Sequence, residues 1–208
     1  MKKLLIFSLM LSAMVALTSC KHKAKSEVGA HDASGVLAEL VVENTISADR
    51  QYMYLHYKAD YRWFETCILL NDYMDEECDG SVFGVSSIFQ VVYERGNGFD
   101  TKVIMTSHSA SGDSIDVKDD FWLEDSPMNE DAIKISYKEA FDKMMATNYP
   151  KPHSRHCVLR KQVGAVDCNP QYIFGNSRRQ IYVDAVNGSV SDKNPAFGNL
   201  NMPLGEWP

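Results

Sequence analysis

The sequence predicts an α+β fold in which short helices pack on an antiparallel β-sheet. Most of the chain after residue 45 consists of segments in which apolar and polar residues alternate, as in strands with one buried face. Turn-forming Gly, Asn, Asp and Pro residues separate these segments at short intervals, which is typical of antiparallel strands. One strong helix-start signal, Ser136 followed by Glu139, lies between two such groups of segments.

The first half is predicted to be a helix followed by an antiparallel meander. Residues 33–45 carry apolar residues at helical spacing, which predicts a short helix. Residues 50–58 alternate in polarity, which favours a strand, with a helix as the alternative. Further strands are predicted at 62–70, 81–95, 101–109 and 114–124. Gly84 lies inside one of them, where we expect a β-bulge.

The second half repeats that order. Ser136 can cap a helix while Glu139 reaches back to the residue that precedes it, and prolines 150 and 152 end the helix. Strands are predicted at 156–162, 170–176 and 179–185, with a short segment at 188–192. The repeated order suggests two related halves produced by duplication. The alternative is chance, because this order is common in α+β folds.

The first twenty residues have the features of an export signal. Lys2 and Lys3 precede an uncharged apolar run at 4–17, which is too short to span a hydrocarbon core of about 30 Å. The segment "LTSC" then resembles the cleavage and lipidation signal of bacterial lipoproteins, with Cys20 as the lipidated residue. The alternative is an ordinary cleaved signal followed by a chance cysteine.

This signal predicts a lipid-anchored protein on the exported side of the bacterial cell envelope. Lys21 follows Cys20 where inner-membrane retention often uses aspartate, so the outer membrane is favoured, and the leaflet stays open. The predicted organisation is a signal peptide at 1–19, a polar tether at 20–32, a first half at 33–125 and a second half with a Pro-rich tail at 126–208.

Charge excludes one class of partner. The chain has a formal net charge of −7, and loss of the two signal-peptide lysines would lower it to −9. Nucleic-acid phosphates would repel such a chain, so the expected partners are the membrane, through the lipid, and a protein or peptide.

Four cysteines besides Cys20 are disulfide candidates. They are Cys67, Cys78, Cys157 and Cys168. An even number in an exported protein indicates disulfides, and the equal spacing within each half favours the pairs 67–78 and 157–168. The other pairings, and free buried thiols, are the alternatives.

No segment predicts a catalytic, cofactor or metal site. His153, His156 and Cys157 are zinc-ligand types, but the two histidines would point to opposite faces of a strand. The acidic stretch at 75–80 lacks the closing glutamate of an EF-hand calcium loop. Ser107 and His108 are neighbours in an alternating strand, so their side chains diverge.

An aromatic cluster in the first half has two interpretations. Its members are Tyr52, Tyr54, Tyr57, Tyr61, Trp63 and Phe64. Packing in the core of a sheet is one interpretation, and the lining of a ligand groove is the other.

The stretch "IYVDAVNGSV" at 181–190 is predicted to form a structural turn. Gly188 supplies a positive φ angle, Asn187 tolerates one, and Asp184 can accept backbone N–H bonds across the turn. With the helix start at 135–140 and the strand residues Val158, Leu159 and Tyr172, this motif makes residues 133–192 resemble a PepSY or PepSY-like domain. The resemblance implies a non-catalytic envelope module that binds or regulates proteins such as peptidases.

Two functional hypotheses follow. The first is a lipid-anchored, non-catalytic envelope module that captures an extended protein or peptide segment at an open sheet edge. The alternative is an envelope hydrolase or a small-ligand-binding protein whose site is assembled from distant residues.

Overall fold

In the part of the chain that the structure describes, an antiparallel sheet of nine strands carries two helices against one of its faces. The computed structural model describes residues 40–58, 60–95, 98–123, 125–164 and 166–197. The helices are α1 (Val42–Tyr57) and α2 (Tyr137–Met145). The strands are β1 (Tyr61–Leu70), β2 (Val82–Arg95), β3 (Gly98–Ser109), β4 (Gly112–Lys118), β5 (Asp125–Ser126), β6 (His156–Gln162), β7 (Gln171–Asn176), β8 (Arg179–Asp184) and β9 (Val190–Ser191). The predicted α+β fold class is therefore confirmed.

The sheet consists of two meanders joined side by side. Its strand order is β4-β3-β2-β1-β6-β7-β8-β9, and β5 pairs with β6 beside this path. β1 and β6 pair antiparallel, with Glu65 opposite Arg160 and Leu69 opposite His156. The described residues from Leu40 onwards thus form one unit, in which the two helix-and-meander runs share a sheet.

One apolar core lies between the helices and the sheet. α1 packs on β1 and β2, and α2 packs on β7 and β8. The two helices are also joined directly, because the backbone N–H of Tyr137 donates to the Glu43 carboxylate at 2.6 Å. The largest fully buried side chains include Met53, Phe89, Phe141, Met144, Leu159, Tyr172 and Phe174.

The strand predicted at 50–58 is wrong, because this segment belongs to α1. The buried positions of α1 recur every three or four residues: Val42, Thr45, Ile46, Asp49 and Met53. Leu55, whose alternation with Met53 favoured a strand, is 69% exposed. The side chains that this segment buries therefore follow the spacing of a helix and not the alternation of a strand.

α2 begins as its sequence predicts. The Ser136 hydroxyl accepts from the backbone N–H of Glu139 at 3.2 Å, and the Glu139 carboxylate accepts from the backbone N–H of Ser136 at 2.9 Å. At the other end, Lys151 Nζ donates to the carbonyls of Met144, Met145 and Thr147, at 2.8–3.1 Å. Both ends of this nine-residue helix are thus tied by side chains.

A short segment fills a gap between the two central strands, and we call it the strap (Asp125–Met128). Within it, β5 pairs with the end of β6, and Met128 forms a bridge to Trp63 of β1. The register of β1 against β2 shifts between Trp63 and Glu65. β1 and β6 therefore pair over residues 65–69 only, and the strap takes the place between them beyond that point.

Several predictions fall on residues outside those described. They are the signal peptide, the lipidated Cys20, the tether and residues 33–39 of the first predicted helix. Within the described ranges, neither helix has the length and apolar character needed to cross a bilayer.

Candidate functional site

The outer edge of the first meander is the most accessible stretch of backbone in the described sheet. β4 pairs with β3 along one side. The pairs run from Ser109 opposite Gly112 to Val103 opposite Lys118. All seven residues of β4 are exposed. Its other side therefore offers backbone N–H and C=O groups without a strand partner among the described residues.

The two faces of β4 differ in chemistry. Ile115 and Val117 project towards the helix side of the sheet and are 43% and 46% exposed. Asp116 and Lys118 project from the other face, where their charged groups lie 3.5 Å apart. This edge combines free backbone hydrogen-bonding groups with an apolar row on one side and a charged row on the other.

A buried polar cluster fixes α1 to the strands next to this edge. Asp49 of α1 is 3% exposed. One of its oxygens accepts from the Thr106 hydroxyl at 2.7 Å, and the other lies 2.7 Å from His108 Nε2. His108 Nδ1 lies 3.1 Å from Asp113 of β4. Sequence reasoning missed this cluster, because its members are separated by up to 64 positions in the chain.

Both ring nitrogens of His108 therefore face carboxylates. Only an imidazolium can donate to both, and the hydrogen bond to Asp49 raises the pKa of His108, with Asp49 and Asp113 adding to the effect against burial. Neither nitrogen is left to deprotonate a hydroxyl nucleophile. As predicted, Ser107 points away, and its hydroxyl bonds to Ser86 at 2.8 Å on the opposite face of the sheet.

A second buried cluster lies under the strap, on the sheet face that the helices leave open. Arg160 NH1 lies 3.4 Å from Glu65, and Arg160 Nε lies 3.6 Å from Asp125, whose side chain is fully buried. The Trp122 indole donates to Asp125 at 3.2 Å. The Cys67 thiol donates to Glu65 at 3.1 Å.

This environment makes Cys67 a poor nucleophile. Burial raises the pKa of the Cys67 thiol to about 12, and the neighbouring Glu65 carboxylate adds to the rise. Burial also raises the pKa of Cys157. Since the thiolate is the reactive species, neither thiol has the microenvironment of a catalytic cysteine.

The predicted disulfides 67–78 and 157–168 are absent, because all four cysteines are free thiols in the structure. Strand register gives the reason. Cys67 lies opposite Ser86 in the β1–β2 pair, and Cys157 lies opposite Phe174 in the β6–β7 pair. Cys78 and Cys168 lie in the connections between these strands and not opposite their expected partners, so equal sequence spacing did not mean facing positions.

Two clefts lie beside Trp63 on the helix side. One, of about 340 Å³, contains Tyr54, Tyr61 and Trp63 of the predicted aromatic cluster in its lining. The other, of about 290 Å³, lies over the core residues Leu159 and Tyr172. Glu130 lines both clefts and forms an ion pair with Arg50, which lines the first. The rest of the aromatic cluster is divided, with Phe64 buried and Tyr57 packed edge-on against Tyr93.

Asp184 has the structural role that its motif predicts. Its carboxylate accepts from the backbone N–H groups of Val186 at 2.8 Å and Asn187 at 3.0 Å. Gly188 has a φ of +75°, whereas Asn187 stays in the ordinary negative range. The other carboxylate oxygen accepts from the side-chain amide of Asn169 at 3.0 Å, which ties this turn to the β6–β7 connection.

The remaining candidate residues are dispersed. The His153 ring stacks on Tyr73 at 4.5 Å, His156 is exposed, and Cys157 is buried in the core. In the 75–80 stretch, Asp75 and Asp79 each accept a backbone N–H two residues on. Within the described ranges, no group of three or more His, Cys, Asp or Glu residues is arranged to hold a metal ion.

Comparisons with known proteins add no family to these observations. No family model, no curated protein and no solved structure matches this chain.

Proposed function

We propose that this protein is a lipid-anchored, non-catalytic module of the bacterial cell envelope that binds an extended protein or peptide segment along β4. The observation that carries this proposal is the exposure of the whole of β4, with backbone groups on its outer side that face no described strand. An added strand would satisfy these groups and extend the sheet to a tenth strand.

The side chains of β4 define the kind of segment that fits. Ile115 and Val117 would pack against apolar residues at alternate positions of the added strand. On the other face, Asp116 favours a basic residue opposite it and Lys118 favours an acidic one, because opposite charges across a strand pair attract. The expected partner is therefore an extended segment with apolar and charged residues in alternation.

The non-catalytic part of the proposal rests on the chemistry of the reactive groups. His108 is engaged by two carboxylates, and Cys67 and Cys157 have raised pKa values. The envelope address rests on the signal-like residues 1–20, and the resemblance of residues 133–192 to PepSY domains agrees with a binding role.

Site-specific photocrosslinking in living cells tests the proposal. A benzoyl-phenylalanine at position 115 or 117 should form an adduct with one recurrent partner, and the crosslinked residues should lie in a stretch that alternates apolar and charged residues. The same label at Tyr73, which is 50% exposed and far from β4 in sequence, is the control for nonspecific capture.

Lysine substitutions on the two faces of β4 sharpen this test. Val117→Lys should abolish the adduct formed at position 115, because it places a charge in the apolar row. Ser114→Lys, on the opposite face of the same strand, should leave it intact. Equal adducts at positions 73 and 115, or insensitivity to Val117→Lys, would contradict binding along β4.

The small-ligand alternative has one supporting observation, the cleft of about 290 Å³ beside Trp63 and Tyr172. A ligand in that cleft would shield Trp63 and Tyr172 from solvent. It would not change crosslinking by the labels at positions 115 and 117 of β4. Photocrosslinks at position 133, in the lining of that cleft, combined with none on β4, would favour this alternative.

A further inference from the structure

The hydrogen bonding under the strap is incomplete. Three buried side-chain atoms lack a hydrogen-bond partner within the described ranges: Asp125 Oδ1, Arg160 Nε and Gln162 Oε1. All three lie where the strap meets β6, whereas the buried hydroxyls and carboxylates on the helix side, such as those of Thr66 and Asp49, are bonded. Two of them, Asp125 Oδ1 and Arg160 Nε, face each other as an ion pair at 3.6 Å, beyond hydrogen-bonding distance, so this loose pair and the unmatched Gln162 Oε1 call for an explanation.

The charges of this cluster are also unbalanced. The carboxyl groups of Glu65 and Asp125 lie within hydrogen-bonding reach of each other, and both face the guanidinium of Arg160. With both carboxyls ionised, two buried negative charges would share one positive charge. Two carboxyls in contact can form a hydrogen bond only when one of them holds a proton.

Strand pairing places a second acceptor beside Asp125. Gln162 is its direct cross-strand partner, so the two side chains lie on the same face with their Cβ atoms about 4.5–5.5 Å apart. A protonated Asp125 becomes a donor among these oxygens. Turning the Gln162 amide would also give Asp125 a donor, but it would leave the excess negative charge in place.

We propose that Asp125 is a proton-operated latch, which holds the strap between β1 and β6 when protonated and releases it when ionised. The strap is suited to this role, since it is held by the two pairs of β5, by the Met128–Trp63 backbone bond and by the contacts of Asp125 itself. The proposal goes beyond the function proposed above and does not depend on a partner at β4.

The direction of the pH dependence follows from the environment of Asp125. Burial raises its pKa to about 6, Arg160 opposes the rise, and Glu65 adds to it. In the released strap, Asp125 would have an ordinary carboxyl pKa near 3.9. The latch is therefore strongest at acidic pH, weakens as the pH rises towards about 6 and then weakens no further.

Other titratable groups near Asp125 do not account for such a profile. Cys67, on β1, has a pKa raised to about 12. Burial raises the pKa of Tyr182 on β8, and Arg160 stays charged throughout. Glu65 acts on the profile through Asp125, whose pKa it raises.

The test is an NMR titration of the full-length protein between pH 4 and 8. It follows the indole N–H of Trp122, which donates to Asp125, and the exchange of the Met128 amide, corrected for the intrinsic pH dependence of exchange. The opening constant of the strap should rise about fivefold per pH unit from pH 4 to 6, about 50-fold between pH 4 and 8, and level off at the upper end.

Three variants separate the latch from general effects of pH. Asp125→Asn, which mimics the protonated acid, should give a flat profile, whereas Asp192→Asn, at an exposed aspartate just after β9, should keep the wild-type profile. Glu65→Gln should move the midpoint to lower pH, because Arg160 alone then balances Asp125. A flat wild-type profile, or a midpoint unchanged in Glu65→Gln, would overturn the proposal even if Asp125→Asn failed to fold.

Discussion

At the residue scale, two aspartates show what a local motif can and cannot predict. Asp184 was predicted from the residues that follow it, because its bonds run to backbone groups two and three positions away. Asp49 could not be predicted, since its partners Thr106 and His108 lie 57 and 59 positions away. Only the tertiary fold brings such groups together.

The first prediction concerns His108. The pKa of this side chain is raised, so its stabilising contribution is complete below the ordinary histidine pKa near 6.5 and is lost as the pH rises through the raised value. His108→Gln should therefore lower the free energy of unfolding more at pH 5.5 than at pH 9. Urea denaturation at the two pH values measures this difference.

Asp116→Asn is the matched control for this measurement, because Asp116 is an exposed acidic residue on the neighbouring strand. Its effect on stability should be small at both pH values. An equal cost of His108→Gln at pH 5.5 and pH 9 would show that the imidazolium does not hold α1 to the sheet.

At the element scale, the end signals of a helix were more informative than its internal pattern. The start of α2 was predicted because Ser136 and Glu139 satisfy backbone N–H groups within one turn. α1 was placed incorrectly because the side chain of its N-cap residue, Val41, makes no capping bond. Its buried face also includes the polar residues Thr45 and Asp49, so apolar residues in the sequence do not recur at helical spacing.

The second prediction concerns this capping box. Ser136→Ala should lower the free energy of unfolding by about 1 kcal/mol, because the backbone N–H of Glu139 loses its acceptor. Ser136→Thr, which keeps the hydroxyl, should recover most of this loss. Thermal or urea denaturation of the three proteins tests this, and equal stability of the Ala and Thr variants would contradict it.

At the scale of the whole molecule, the strand segments were predicted well but the way they join was not. Hydrophobic alternation located most of the strands, yet it carries no information about which strand edges meet. The pairing of β1 with β6 links the two meanders, and one buried core lies under both helices. The sequence suggested two related halves, and the structure makes those halves depend on each other.

The third prediction follows from this dependence. Leu159 of β6 is fully buried in the shared core, so Leu159→Ala should lower the free energy of unfolding by about 2–5 kcal/mol. Amide hydrogen exchange should speed up in β2 as well as in β8. Val163→Ala, at a residue that is 58% exposed, is the control, and loss of protection confined to β7 and β8 would contradict a single cooperative unit.

The central pairing also has a consequence for how the chain acquires its structure. Glu65 and Arg160 lie opposite each other across β1 and β6 but are 95 residues apart in the chain. Closing so large a loop costs entropy before any contact repays it, so proteins with such long-range strand pairs fold slowly. Until β6 docks against it, β1 keeps an unpaired edge. Throughout that interval the first meander is a target for chaperones and for aggregation with other unpaired strands.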